Sequence, residues 1–306
     1  MSELEPGTGG PADLMIKAVL LGVVPCTCVY FCALLFSRRL AKRATTQPGR
    51  RSWALALALG VAYSVGHVAI VGWPALPPQE TMHWLLPGAL LAMVVGVLDA
   101  LWEQPWALRL GTRIALTALL TWLVLRPLLQ PEVVDGVRWP VMTAIVIAGV
   151  FFWSGLEALA DRVVGRPLLA TLLVVTTAAS GALAAGSLMH GQLAGVLSGA
   201  LFGAFAVALF ISGFSMARGG IPVVALLLIG LAIDGHYYSE FPTPSAVLIG
   251  LAPFALWIGR IGPVRRLARW QAGLLCGIGV LIPLGLALAI ALGVGASTPN
   301  PDPGAM

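Results

Sequence analysis

Charge is what this sequence has least of. Only 10% of its 306 residues are Asp, Glu, Lys or Arg, while 58% are hydrophobic and the mean hydropathy is +0.92. A soluble domain carries about 25% charged residues, so a water-soluble globule is excluded as the fold class. Alternating apolar and polar segments of about ten residues are absent too, which excludes a membrane β-barrel. Cysteine is scarce. Cys26, Cys28, Cys32 and Cys276 all fall inside apolar runs, where a thiol packs as a small apolar group, and they form neither a disulfide framework nor a zinc spacing. The sequence also lacks a P-loop, Gly-x-Gly-x-x-Gly, His-Glu-x-x-His, Gly-x-Ser-x-Gly and Cys-x-x-Cys. The commoner nucleotide, zinc-protease, hydrolase and thiol-redox signatures are therefore missing, and no cofactor or catalytic residue is implied.

What the sequence does have is hydrophobicity at the length of a bilayer. A hydrocarbon core about 30 Å thick takes about 20 apolar residues per helix. Ten such runs are present: residues 13–36, 53–75, 84–102, 111–129, 139–159, 167–188, 191–213, 221–238, 244–259 and 271–294. The expected fold is all-α and integral to the membrane, a polytopic bundle of about ten transmembrane helices. Residues 13–296 form its one membrane domain, flanked by an extracytoplasmic tail at 1–12 and a disordered one at 297–306. Spans 6 and 7 are divided only by a Met189-His190-Gly191-Gln192 turn, and span 9 is short enough to be tilted or partly re-entrant.

Charge is sorted by side, which tests the count of spans. Fifteen of the 18 Lys and Arg residues fall on one flank, among them Arg38, Arg39, Lys42, Arg43, Arg50, Arg51, Arg109, Arg113, Arg162, Arg166 and Arg260. Only Lys17, Arg126 and Arg138 fall on the other, together with nine of the 13 acids. Basic loops stay cytoplasmic, so both termini are expected outside, in a multi-pass protein of the cell membrane of the bacterial inner-membrane type. Eight of the ten tryptophans lie at or beside span ends, as interfacial belts require. The pI of about 9.4 reflects this sorting and not a nucleic-acid surface; the expected partner is the lipid bilayer. In size the chain is similar to the drug/metabolite transporters. Those are inverted five-helix repeats with both ends cytoplasmic, an arrangement that the charge sorting here opposes.

An internal repeat is suggested by Gly66-His67, Ala100-Leu101-Trp102 and Arg126-Pro127-Leu128, echoed by Gly235-His236, Ala255-Leu256-Trp257 and Ile282-Pro283-Leu284. It relates spans 2–4 to spans 8–10 in parallel. Gly191, Gly195, Gly199 and Gly203 make a stripe at strict i, i+4 spacing in span 7. Bare backbone along a stripe lets a second helix approach closely, either inside the chain or in a homo-oligomer. Pro25, Pro253 and Pro283 interrupt spans, as happens both in transporters and in plain bundles.

Ionisable residues at membrane depth are the functional candidates, since even insertion scales put a central Asp near +3 kcal/mol. Asp234 ends an apolar run and is followed by Gly235, His236, Tyr237 and Tyr238, with Glu240 just beyond. His67 sits fourteen residues into span 2, about 21 Å up the helix and in the outer half. His83, His190 and His236 fall on the same side. His67, Asp234, His236 and Glu240 are therefore the candidate outer polar site, suited to a proton relay or a transition metal. The bland alternatives are a local hydrogen bond for His67 and interfacial anchoring for the rest. On the inner side Asp99 and Glu103, and Glu157 and Asp161, end spans 3 and 5 next to Arg109, Arg113, Arg162 and Arg166. That pattern reads first as a salt-bridged latch and second as a cation access site.

Three functions follow. The first is a small-solute or ion permease, the second a non-catalytic subunit or scaffold, and the third an enzyme acting on a lipid-linked substrate at the outer face.

Overall fold

The computed structural model describes residues 10–41, 52–75, 78, 80–102, 104–129, 138–163, 165–210, 216, 218–260 and 262–297. Ten α-helices follow one another: α1 Pro11–Ala41, α2 Ser52–Val71, α3 Leu85–Leu101, α4 Trp106–Leu125, α5 Arg138–Arg162, α6 Arg166–Ala184, α7 Leu188–Leu209, α8 Gly220–Tyr238, α9 Thr243–Leu251 and α10 Arg269–Ser297. Short 3-10 turns extend several of them, notably Thr81–Trp84 before α3 and Ala252–Arg260 after α9. No strand is present among the described residues. All ten segments are long and apolar enough to cross a membrane. The chain is an all-α polytopic membrane protein.

Each expected span matches one of these segments, with shifted edges. α4 starts at Trp106 and draws Arg109 and Arg113 into its first two turns, so these arginines are helical and not in the loop. Spans 6 and 7 divide earlier than expected. The break falls at Ala185-Gly186-Ser187, and α7 already contains Met189 to Gln192. Ser187 has the extended backbone of an N-cap, and its carbonyl accepts the first hydrogen bond of α7 from the Gly191 amide at 3.0 Å.

Span 9 is α-helical for nine residues and then a 3-10 helix for nine more, the change falling at Ala252-Pro253. Proline has no amide hydrogen and ends the regular ladder there. A 3-10 helix rises about 2.0 Å per residue against 1.5 Å, so eighteen residues reach about 31 Å, enough for the hydrocarbon core. Pro25 and Pro283, by contrast, are carried inside continuous helices.

Helices consecutive in the chain run antiparallel, as contacts at two opposite ends of the bundle demonstrate. At the basic end, Arg109 and Arg113 meet Glu157, Arg166 meets Ala208 and Leu209, and Arg260 meets Arg162. At the far end, Tyr238 meets Val124, His67 meets His83, and His190 meets Ser239. α2, α7 and α8 occupy the middle, α7 and α8 being the most buried spans at 72% and 83% of their apolar windows. α1 and α6 pack along α7, α3, α4 and α5 pack on α8, and the α9–α10 hairpin lies against α6.

Large apolar side chains cover the outside as well as filling the core. Ile16, Val24, Phe31, Leu281 and Ile282 are all more than half exposed, an arrangement that water would not tolerate and lipid does. Trp73, Trp102, Trp106, Trp139 and Trp270, all at span ends, are at least 70% exposed.

The glycine stripe is used inside the chain. A Cβ at Gly199 would lie 2.0 Å from the Val19 carbonyl oxygen, one at Gly203 2.7 Å from that of Val23, and one at Gly191 2.5 Å from Ala184 Cβ. From the other side Gly22 of α1 approaches the Val196 carbonyl equally closely, so α1 and α7 run backbone to backbone. Within the chain the stripe is therefore covered by α1 and α6. The expected parallel repeat lacks matching packing as well. α2 lies along α3, but α8 does not lie along α9, and His67 is fully buried where its echo His236 is exposed.

Residues 1–9, Lys42, Arg43, Arg50, Arg51, Glu103 and residues 298–306 lie outside the described residues, and so do most of both expected tails.

Candidate functional site

The far end of α8 carries the most unusual chemistry. Asp234 is 0% exposed and stands one turn before the helix ends, among Ile229, Leu231 and Ile233. An isolated carboxylate there would be prohibitively unstable. Its partner is His190, placed in the first turn of α7 by the Gly186-Ser187 break, with Nε2 2.9 Å from Asp234 Oδ2. The other ring nitrogen, Nδ1, lies 2.9 Å from the Ser239 hydroxyl. With Asp234 ionised, Nε2–H donates to the carboxylate and Nδ1 accepts from Ser239. All three residues are buried.

Local backbone explains the alignment. Ser239 follows the last residue of α8, and its amide and that of Phe241 both donate to the Gly235 carbonyl at 3.0 Å. This double closure turns the chain so sharply that Glu240 takes a left-handed φ of 54°. Gly186, in the turn before α7, sits where a Cβ would meet the Ser239 carbonyl at 2.1 Å, so only glycine lets the two turns touch. Contact between the turns seats His190 between Asp234 and Ser239.

The same half of the bundle holds most of the buried polar atoms that have no partner among the described residues: Asp234 Oδ1, both ring nitrogens of His67, Nδ1 of His83, the Tyr63 hydroxyl, and the hydroxyls of Thr117 and Thr121, with Arg109 Nε the one at the basic end. His67 is 0% exposed, with its ring centroid 6.0 Å from Tyr63 and 6.3 Å from His83. Asp234 acts electrostatically on both Tyr63 and His67. Buried polar groups are normally satisfied, so this concentration of orphans in one half of the bundle calls for an explanation.

Of the residues singled out from sequence, Asp234 and His67 thus share the interior of the far half. His236 and Glu240 do not join them: both are exposed, and His236 Nδ1 donates to the Phe241 carbonyl at 2.8 Å. Helix geometry explains the divergence, since His236 is two residues past Asp234 and points about 200° away around α8. Sequence reasoning missed His190 and Ser239 as partners of Asp234. Ser187 was the available signal, because reading it as an N-cap places His190 on a helix and not in a turn.

No protein-family model matches the chain, and no curated protein matches it either.

At the basic end the carboxylates behave differently. Glu157 of α5 is buried and held by two arginines of α4, Arg109 Nη1 at 2.8 Å and Arg113, whose other amino group donates to Ser154 at 2.9 Å. Asp161 is exposed, and Asp99 is partly buried within the field of Arg109, Arg113 and Arg218. A groove of about 460 Å³ between α6, the 3-10 half of span 9 and α10 is lined by apolar side chains, with Arg260 among the few polar groups. It lies apart from Asp234. Among the described residues no three His, Cys, Asp or Glu side chains converge to hold a metal.

Proposed function

We propose that the chain is a permease for a small solute or ion, with Asp234, His190 and His67 as its working groups. One observation carries the reading: a fully buried carboxylate at membrane depth with one oxygen on a histidine and the other unpartnered. Ionisable groups inside spans are costly and recur on ion pathways and proton relays. A purely structural pair would have its second oxygen satisfied, as both oxygens of Glu157 are.

In this reading residues 13–296 act as one membrane domain of a cell membrane, of the bacterial inner-membrane type. The basic end faces the cytoplasm and both termini face outward, so Asp234 is reached from outside. Charge sorting supports that orientation. The test is flux across vesicles containing the purified protein, following a panel of small charged solutes and protons. Flux should be lost in the combined Asp234→Asn, His67→Ala variant; undiminished flux would remove these residues from the mechanism.

One geometric fact favours an enzyme as a second reading, namely the Ser239–His190–Asp234 hydrogen-bond line. It has the residue types of a nucleophilic triad, but the serine lies on Nδ1 and the carboxylate on Nε2, the reverse of the serine-protease arrangement. Ser239 is buried as well, so a substrate carbonyl has no open approach. Covalent labelling of Ser239 by a fluorophosphonate would favour the enzyme, and unlabelled protein the permease.

A further inference from the structure

We infer that the proposed permease is coupled to protons, which load onto Asp234 from the far face through Glu80, His83 and His67. The inference rests on the permease reading and names its coupling ion.

Two steps of the route have measured distances. Glu80 stands at the surface with its side chain 71% exposed, and Oε2 is 3.4 Å from Nε2 of the nearly buried His83. His83 is 6.3 Å from His67 between ring centroids, in an edge-on arrangement at 86°. A ring nitrogen lies about 1.2 Å from its centroid, so the nitrogens can approach to about 4 Å, a gap closed by one bridging water. His67 lies within the electrostatic field of Asp234, whose Oδ1 has no partner among the described residues. Each nitrogen or oxygen that a proton would occupy along this line is without a partner, apart from the first contact of Glu80 with His83. An imidazole accepts on one nitrogen while it donates from the other, which is the property a relay requires.

The chemistry selects a proton over a larger ion. A bare cation needs several oxygens converging on one point, whereas the groups along this line are mostly imidazole nitrogens. A proton needs only a chain of donors and acceptors. The titratable groups facing Asp234 are Tyr63 and His67 from α2, His190 from α7, and Tyr238 from α8 itself, with His83 behind His67 from the turn before α3. α4 brings only the hydroxyls of Thr117 and Thr121. None of these carries a fixed positive charge.

Toward the basic end the route is closed. α8 between Ile221 and Ile233 presents almost only aliphatic side chains and is buried nearly throughout. Asp234 is thus separated from the basic end by an apolar layer, as one state of a coupled transporter requires. His190 shares the loaded proton with Asp234 Oδ2, and Ser239 holds the imidazole in register.

The experiment uses the full chain in liposomes loaded with a pH-sensitive dye, with a potassium diffusion potential as the driving force. Wild-type vesicles should acidify. Glu80→Gln and His67→Gln should slow the rate at least tenfold, Asp234→Asn should abolish it, and His236→Ala should leave it unchanged. Glu80 is a surface residue, so its variant tests the route even if a core variant fails to fold. Wild-type rates in both Glu80→Gln and His67→Gln would overturn the route. Vesicles that carry rubidium but no protons would overturn the coupling while leaving the permease intact. Vesicles that carry neither protons, rubidium nor any solute of the panel would overturn both.

Discussion

The two ends of this bundle each bury a carboxylate, and they treat it in opposite ways. Glu157 at the basic end receives two guanidinium groups, one per oxygen, and a third hydrogen bond ties Arg113 to Ser154. Asp234 at the far end receives one imidazole, and its other oxygen and the neighbouring His67 are left without partners. Arginine stays charged at every accessible pH and binds a carboxylate as a fixed fork, whereas histidine can take up or release a proton. The first arrangement holds α4 to α5. The second keeps binding capacity in reserve.

The largest effect should come from breaking the saturated end. Replacing Arg109 and Arg113 together by Ala leaves Glu157 buried without a counter-charge, which costs about 3 to 5 kcal/mol. Thermal unfolding in detergent should show the loss, and adding Glu157→Gln should restore most of it. A double variant as stable as wild type would mean that Glu157 relaxes to the surface. Next in size is His190→Ala, which strands Asp234 and should destabilise by about 2 to 3 kcal/mol. Asp234→Asn in the same background should recover much of that loss, because the neutral amide needs no counter-charge.

His67→Ala sharpens the contrast further. It removes an imidazole whose nitrogens bond to nothing among the described residues, so the stability cost is that of packing, about 1 to 2 kcal/mol, with flux affected far more than folding. The smallest effect belongs to Glu240, exposed and left-handed at φ 54°. Glu240→Gly should stabilise by about 0.5 to 1 kcal/mol by relieving that backbone, and should leave flux untouched. A clear fall in either stability or flux would show that the Glu240 carboxylate has work to do at the surface.

The spans were legible in the sequence because a membrane helix announces itself by length alone, and so was the gathering of arginines at one end of each hairpin. Packing between spans leaves no such mark. His190 and Asp234 are 44 residues apart, and nothing in periodicity links them. The stripe of Gly191, Gly195, Gly199 and Gly203 could be read as a contact surface, yet its partner, Gly22 with Val19 and Val23, became known only from the fold. His236 misled because it is adjacent to Asp234 in sequence, while a helix turns neighbours to different faces. Glu157 was recognisable through its arginines, since Arg109 and Arg113 lie at the same end of the adjacent span.

Synthesis gives the His190–Asp234 bond a second consequence. α7 leaves the ribosome before α8, so a histidine that has already crossed into lipid waits for the aspartate. Until α8 arrives, Asp234 sits alone in a helix whose other side chains are content in hydrocarbon, and that isolation disfavours its insertion by about 3 kcal/mol. Docking against α7 removes most of the deficit. The missing Cβ at Gly186 permits this docking, since one there would meet the Ser239 carbonyl oxygen at 2.1 Å. An α8 inserted before α7 has settled would lack its imidazole. The bond that pairs the buried carboxylate thus also joins the eighth helix to the seventh.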